Sequence, residues 1–444
     1  MKISVVGLGK LGAPLAAVLA SKGFVVIGTD LNPAAVAAIN AGRAPVDEPG
    51  LQELVSRSAG RLSATDDPLS AVSKTDVTFI IVPTPSDATG RFSNEFALQA
   101  MATVGEGIGR KREYHLVVMT STVMPGSTGG ELLDALERHS GRAIGPALGL
   151  CYNPEFIALG SVVRDMLRPD MVLIGESDTR AGDLLESIHR KSCDNEPAVR
   201  RMNFVNAELT KIAVNTFVTT KITYANMLSD ICDRLPGADV DVVTHALGAD
   251  SRIGAKYLKG ATGYGGPCFP RDNVAFGALA RSIGANPDLA EATDRLNRYQ
   301  IERLLGAVQA RMQRAGIIGI LGLSYKPETA VIEESQGVAL ADRLLTAGRT
   351  VVAYDPKAFG AAQSQLGGRL REAQSAEDCV RAADAVVVMT PWPTFRNVEP
   401  SAFRRPNGRM TVIDCWRILP AEVREVADLV YVGQGGARSP AGVI

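Results

Sequence analysis

Cysteine and histidine are scarce in this chain, and the scarcity removes whole classes of function. Six cysteines are scattered over 444 residues, at 151, 193, 232, 268, 379 and 415, without a CxxC pair. That spacing argues against a disulfide framework and a structural zinc site. The four histidines, at 115, 139, 189 and 245, form neither HxxxH nor HExxH, so each reads as a packing or surface residue and no metal is expected. No stretch of 18 residues is apolar without charge or helix punctuation, which argues against a membrane span. Met1 and Lys2 run straight into a strand-like Ile3–Val6 rather than a leader, and a reducing cytoplasm is the expected location. A formal net charge of -1, with no basic-aromatic pattern, offers nothing to nucleic acid or an anionic membrane.

What remains is a long chain with 46% hydrophobic residues, enough for two or three separately cored domains. Its opening reads strand, glycine turn, helix, strand: the turn Gly7–Gly12, an alanine-rich segment to Ala20, then Phe24 to Thr29 ending in Asp30. Apolar runs at Val77–Val82 and Leu116–Met119 each stop in turn residues, Pro83-Thr84-Pro85 and Thr120-Ser121-Thr122. Buried parallel strands with ligand-bearing loops at their carboxyl ends have this form. From about Asn206 to Asp233, Leu209, Ile212, Ala213, Phe217 and Ile222 recur at helical period without Pro or Gly. After Gly316 the first pattern returns. Ile317–Gly322 resembles the opening strand, Val351–Asp355 resembles Val25–Asp30, and Asp384–Pro391 resembles Asp76–Pro83. The expected fold is α/β, with two Rossmann-like doubly wound domains joined by a long central helix and a helical region. The expected segments are 1–200, 201–300 and 301–432, with a flexible tail at 433–444.

Gly7, Gly9 and Gly12 spell GxGxxG between a strand and a helix, where a pyrophosphate can approach the helix N-terminus. Asp30, at the end of the next strand, suits the adenosine ribose hydroxyls and repels a 2′-phosphate, so NAD is expected rather than NADP. The second half lacks the full motif and is not expected to take a dinucleotide. Cys268 lies in Gly263-Tyr-Gly-Gly-Pro-Cys-Phe-Pro-Arg-Asp272, where glycines permit close approach of a ligand and Lys259 and Arg271 favour the thiolate; it reads as a nucleophile. Lys211 and Asn215, four residues apart, share a helix face and can address one ligand together, although spacing alone favours a solvated lysine. Glu155 follows Asn153-Pro154 at a turn, a position that also suits an ordinary surface carboxylate.

Taken in order, GLGKLG at 7–12, VPTP at 82–85, STVMPG at 121–126, NPEF at 153–156, AELTKIAVNTF at 207–217 and GYGGPCFPRD at 263–272 resemble the UDP-glucose/GDP-mannose dehydrogenase family. The resemblance runs from Gly7 to about Arg417. It implies an N-terminal NAD domain, a central dimerisation region, a C-terminal nucleotide-sugar domain, and a homodimer or higher homo-oligomer. It implies that Leu11, Pro83, Thr84 and Thr122 join Gly7, Gly9, Gly12 and Asp30 around NAD. Cys268 would be the nucleophile, Lys211, Asn215 and Asp272 would surround the reacting C6, and Thr122 and Glu155 would assist water or proton transfer. Phe156, Arg252, Tyr257, Lys259, Tyr264, Gly265, Phe269, Lys326 and Arg417 would contact the nucleotide sugar, with Arg252 reaching a neighbouring subunit. The implied reaction is a four-electron oxidation of a C6 alcohol through a thiohemiacetal and a thioester, supplying polysaccharide biosynthesis.

The chain departs from the family pattern at three places. Val331-Ile-Glu-Glu-Ser335 has Glu333 where an arginine is common, Leu159 stands where an acidic residue is common, and the late DxR motif appears as Asp414-Cys-Trp-Arg417. The CFPRD sequence favours UDP-glucose over UDP-N-acetylhexosamines, with UDP-N-acetylmannosamine, UDP-N-acetylglucosamine and GDP-mannose as the alternatives. A one-step hydroxyacid-type dehydrogenase, which would leave Cys268 without a covalent role, and a noncatalytic NAD-binding protein are the rivals of other kinds.

Overall fold

The computed structural model describes residues 1–312 and 316–436. The chain divides into two compact units, Met1–Val214 and Asn215–Ile444, and each carries its own sheet. In the first unit the strands are β1 (Lys2–Val6), β2 (Val25–Thr29), β3 (Leu62–Thr65), β4 (Val77–Ile80), β5 (His115–Met119), β6 (Leu148–Tyr152), β7 (Met171–Glu176) and β8 (Ala198–Met202). Their order is β3-β2-β1-β4-β5-β6-β7-β8. All neighbours pair in parallel except β6 and β7. Every residue of β4, β5 and β6 is buried, as central strands covered on both faces require. The Gly12–Ser21 helix is alanine-rich and buries all but Leu15 and Ser21, so small side chains let it lie close against the sheet.

The second unit has β9 (Ile317–Leu321), β10 (Thr350–Tyr354), β11 (Arg371–Glu372), β12 (Ala385–Val388), β13 (Met410–Asp414) and β14 (Ala427–Tyr431). They form an all-parallel sheet in the order β11-β10-β9-β12-β13-β14. In both sheets the order in which strands are added therefore reverses at the same place, between the first strand and the fourth, where a doubly wound sheet opens its ligand crevice. The two doubly wound α/β halves expected from the sequence are both present.

The predicted long helix spans Phe204–Arg234, 31 residues, and the division between the units falls inside it. Beyond it the second unit adds the helices Val240–Ala249, Phe269–Ser282 and Asp288–Arg311. Residues 433–436, assigned from sequence to the tail, are instead tied down. Gln434 bridges Asp239, Val240 N donates to Gly433 O at 2.8 Å, and Gly435 N donates to Ala238 O at 2.9 Å. The rest of the expected tail, 437–444, lies outside the described residues.

Candidate active site

The glycine turn of the first unit is built around Asp30. Its Oδ2 accepts from Leu8 N at 2.6 Å and its Oδ1 from Asn32 N at 2.7 Å, while Gly7 N donates to Thr29 O at 2.8 Å. Gly7 has φ +95°, and a Cβ on Gly12 would stand 1.9 Å from Gly7 O, so neither position admits a side chain. A Cβ on Gly9 would meet nothing within 4 Å. The first and third glycines therefore serve the turn and the helix packing, and the second leaves an open approach to a helix start that no side chain caps. This geometry fits a dinucleotide pyrophosphate.

The loops after β4 and β5 are fastened together. Ser121 Oγ bonds both Val82 N and Val82 O, and Thr84 Oγ1 donates to Thr122 O at 2.8 Å. The second loop is also held from the long helix, where fully buried Glu208 accepts from Gly126 N at 2.6 Å and Thr128 N at 2.7 Å. One turn further on, Lys211 is buried, donates to Glu155 O at 2.5 Å and places Nζ 4.9 Å from the Phe156 ring centroid. It is not the solvated lysine that spacing alone would allow.

Glu155 as a residue is partly exposed, but its Oε2 is shut off from solvent and accepts no hydrogen bond. Burial pushes its carboxyl up to about 8 against the opposing pull of Lys211. The loop that carries it is secured by the buried carboxylate of Glu48, which accepts from Gly160 N at 2.9 Å and Val162 N at 2.8 Å. His189 contributes as well, bonding Asn153 Oδ1 at 2.8 Å.

In the second unit Cys268 presents an exposed thiol immediately before the Phe269–Ser282 helix. One turn into that helix Asp272 is buried, and its Oδ2 accepts from Asn215 Nδ2 at 2.6 Å. Its Oδ1 accepts no hydrogen bond, with Arg271 Nε 3.6 Å away. A buried carboxylate with spare acceptor capacity is suited to orient a water or hydroxyl proton.

Lys259, expected to favour the thiolate, directs its charge elsewhere: Nζ pairs with Asp241 Oδ2 at 2.6 Å. Arg417, in a left-handed backbone conformation at φ +56°, pairs with Asp239 at 2.7 Å and Asp241 at 3.2 Å. These four side chains form one charged cluster. Arg252 extends into solvent beside Asp250, and Tyr257 packs edge-on against Phe269 with centroids 6.4 Å apart. Tyr264 is buried. Gly265 lies against the main chain of Glu334, whose carbonyl oxygen a Cβ would approach to 2.2 Å. Lys326 Nζ sits 5.9 Å from the Tyr325 ring centroid. Among the described residues no group of three or more His, Cys, Asp or Glu could hold a metal, and no helix is long and apolar enough to cross a membrane.

Three stretches of the chain match, in order, the three domains of one family. Residues 1–193 match the NAD binding domain of the UDP-glucose/GDP-mannose dehydrogenase family, 205–299 its central domain and 319–421 its UDP binding domain. The chain belongs to this family. It is thus an NAD-dependent oxidoreductase with a domain for the nucleotide of its substrate. A UDP-glucose 6-dehydrogenase of Haloferax volcanii is 38% identical over 403 residues, covering 90% of this chain and 93% of that protein. A GDP-mannose 6-dehydrogenase of Pseudomonas aeruginosa is 33% identical over 359 residues, covering 80% and 81%. Among solved structures, a UDP-glucose dehydrogenase from Pyrobaculum islandicum superimposes with a TM-score of 0.89 at 33% identity, covering 98% of each chain.

Sequence reasoning passed over Glu48, Glu208, Asp239 and Asp241. Of these only Glu208 had a local signal, since it lies inside AELTKIAVNTF and is one turn from Lys211. The others act on segments far away in sequence, which no local pattern reveals.

Proposed function

We propose that this family member oxidises the C6 alcohol of UDP-glucose to the carboxylate of UDP-glucuronate, in two oxidations that each use one NAD. The observation that carries the reading is the exposed Cys268 thiol one helical turn from the buried Asp272–Asn215 pair. A single alcohol oxidation has no use for a thiol placed in this way. Bound NAD supplies the hydride acceptor. Gly7, Gly9 and Gly12 would hold its pyrophosphate and Asp30 its adenosine ribose, with Leu11, Pro83, Thr84 and Thr122 lining the remainder.

In the first oxidation the C6 hydroxyl gives its proton to Lys211, or to a water held by Asp272, and becomes an aldehyde. Cys268 Sγ then bonds to C6 while the carbonyl oxygen takes up a proton, which keeps the aldehyde from escaping. The second oxidation converts this thiohemiacetal to a thioester. Water, assisted by Glu155, Thr122 and Asp272, adds to the thioester carbon and the Sγ–C6 bond breaks, releasing acid and thiol. Phe156, Tyr257, Lys259, Tyr264, Gly265, Phe269, Lys326 and Arg417 are the proposed contacts to the nucleotide sugar.

The test is NADH formed per limiting UDP-glucose, with the product identified by mass. Two NADH and UDP-glucuronate are expected. One NADH would remove the covalent second oxidation, and turnover only with GDP-mannose or an N-acetylated UDP-sugar would move the substrate and leave the chemistry. Cys268→Ser should abolish acid formation while NAD still binds.

We also propose a homodimer built on the Phe204–Arg234 helix. Phe217, Tyr224, Met227 and Ile231 recur along it and are all exposed, an apolar stripe of the kind that a partner surface covers. Light scattering should give about twice the chain mass, and Phe217→Glu with Ile231→Glu should give the monomer.

A further inference from the structure

The segment leading into Cys268, from Gly260 to Pro267, has no regular secondary structure, yet most of it is buried. Its backbone groups need partners, and two asparagines supply them. Asn226, on the Phe204–Arg234 helix, accepts from Ala261 N at 2.9 Å and donates to Thr262 O at 2.9 Å. Asn297, on the Asp288–Arg311 helix, accepts from Tyr264 N at 2.8 Å and donates to Tyr264 O at 3.0 Å. Both asparagines are buried, at 1% and 7% exposure. Each offers one amide donor and one acceptor, as a neighbouring strand would, to a segment that has no strand beside it. Downstream, Gly266 N donates to Glu333 O at 2.9 Å.

The glycines of this segment bear on the same point. A Cβ on Gly263 would stand 2.6 Å from Asn297 Oδ1 and 2.6 Å from Gln336 Oε1, and one on Gly265 would stand 2.2 Å from Glu334 O. The sequence suggests that these glycines admit a ligand. In the fold, two of them admit the groups that hold the segment.

We propose that Asn226 and Asn297 are positioning residues for Cys268, fixing the approach segment so that the thiol meets C6 at bonding distance. The proposal rests on Cys268 being the nucleophile. Each asparagine acts through the backbone of Ala261–Tyr264. Aspartate in either place is isosteric but cannot donate, so it turns one hydrogen bond into a repulsion between a carboxylate and a carbonyl oxygen.

The test compares Asn226→Asp and Asn297→Asp with the unaltered full-length enzyme. It measures kcat and KM for UDP-glucose oxidation, and the pH dependence of iodoacetamide alkylation of Cys268 followed by peptide mass. Cys151, Cys232, Cys379 and Cys415 are buried and Cys193 is half-buried, so the Cys268 peptide reports separately. The expected result is a fall in kcat of about ten- to a hundredfold, the scale set by small misplacements of a reacting group. KM for NAD should stay within about twofold, and the alkylation midpoint should move. If an aspartate variant does not fold, serine at the same position, Asn226→Ser or Asn297→Ser, removes the same pair of bonds without adding charge. Folded variants with unaltered kcat and an unaltered alkylation profile would overturn the proposal. Acid formation by Cys268→Ser at the original rate would overturn the nucleophile reading beneath it, whatever the asparagine variants do.

Discussion

The two halves of the chain make the same turn and use it differently. At the end of β1, Gly7 N donates to Thr29 O, and Asp30 Oδ2 accepts from Leu8 N. At the end of β9, Gly322 N donates to Tyr354 O, and Asp355 Oδ2 accepts from Leu323 N at 2.7 Å. Gly7 and Gly322 share positive φ, +95° and +101°. A Cβ on Gly12 would strike Gly7 O, and one on Gly337 would strike Gly322 O at 2.3 Å. The helix glycine follows the turn glycine by five residues in the first half and by fifteen in the second. The longer passage, 323–336, carries Lys326 and the Glu333–Glu334 main chain that meets the Cys268 segment. Asp355 is also spent internally. It accepts from Ser324 N, Ser324 Oγ and Trp392 Nε1 on one oxygen and from Lys357 N and Ala358 N on the other. One geometry therefore supports a dinucleotide site in one half, whereas in the other its carboxylate has become part of the core.

Replacing each carboxylate should separate these roles. Asp355→Ala strands several buried donors, each costing about 1–3 kcal/mol. A loss of roughly 4 kcal/mol is expected, which for a unit of this size lowers the thermal midpoint by about 10 °C; calorimetry reads it. Asp30→Ala leaves fewer donors unpaired and should lower the midpoint much less. It should instead raise KM for NAD about tenfold, equivalent to about 1.4 kcal/mol, and erase discrimination against NADP. Equal effects of the two variants on stability and on NAD would break the comparison.

Much of this was legible in the sequence because it is local. The glycine turns, Asp30, the apolar runs of β4 and β5 and the period of the long helix each occupy a few consecutive residues. The return of the pattern after Gly316 was legible for the same reason. What escaped was the correspondence of Gly337 with Gly12, hidden by the longer intervening passage, and several polar side chains that work across the chain. Glu48 serves a loop more than a hundred residues away. Asn226 and Asn297 are single polar residues in helical patterns, and only the fold brings them to Ala261 and Tyr264. The Glu155 carboxyl likewise stays open between a held turn residue and an ordinary surface group until burial is known.

Glu155 sharpens the contrast from another side. Burial raises the carboxyls of both Glu155 and Asp414, but Asp414 accepts from the backbone N–H groups of Trp416, Arg417, Ile418 and Leu419, which oppose the rise. The Glu155 Oε2 has no such donors, and the group titrates near 8. Below its unfolded value near 4.5 it is protonated in both states and contributes nothing. As pH rises from there to about 8, the unfolded chain releases a proton that the folded chain retains, so folding is progressively penalised. Glu155→Gln should therefore stabilise the protein above neutrality by a few kcal/mol at most, with no gain at pH 4. If Glu155 activates the hydrolytic water, acid formation should rise with pH towards about 8, and the Gln variant should lose that rise. A flat stability difference across this range would place the carboxyl among ordinary surface groups.

The smallest expected effect belongs to Trp392, whose Nε1 donates to Ser324 Oγ at 3.0 Å and Asp355 Oδ2 at 3.1 Å. Trp392→Phe keeps an aromatic ring in a buried position but removes the donor, leaving Asp355 with its backbone and serine donors. A net hydrogen bond is worth about 1 kcal/mol, and loss of part of the indole's volume adds a similar amount. A fall in the thermal midpoint of roughly 5 °C is expected, with KM for NAD unchanged because Asp30 keeps its own surroundings. A change in KM for NAD would mean that the second turn contributes to cofactor binding, contrary to the spent state of its carboxylate.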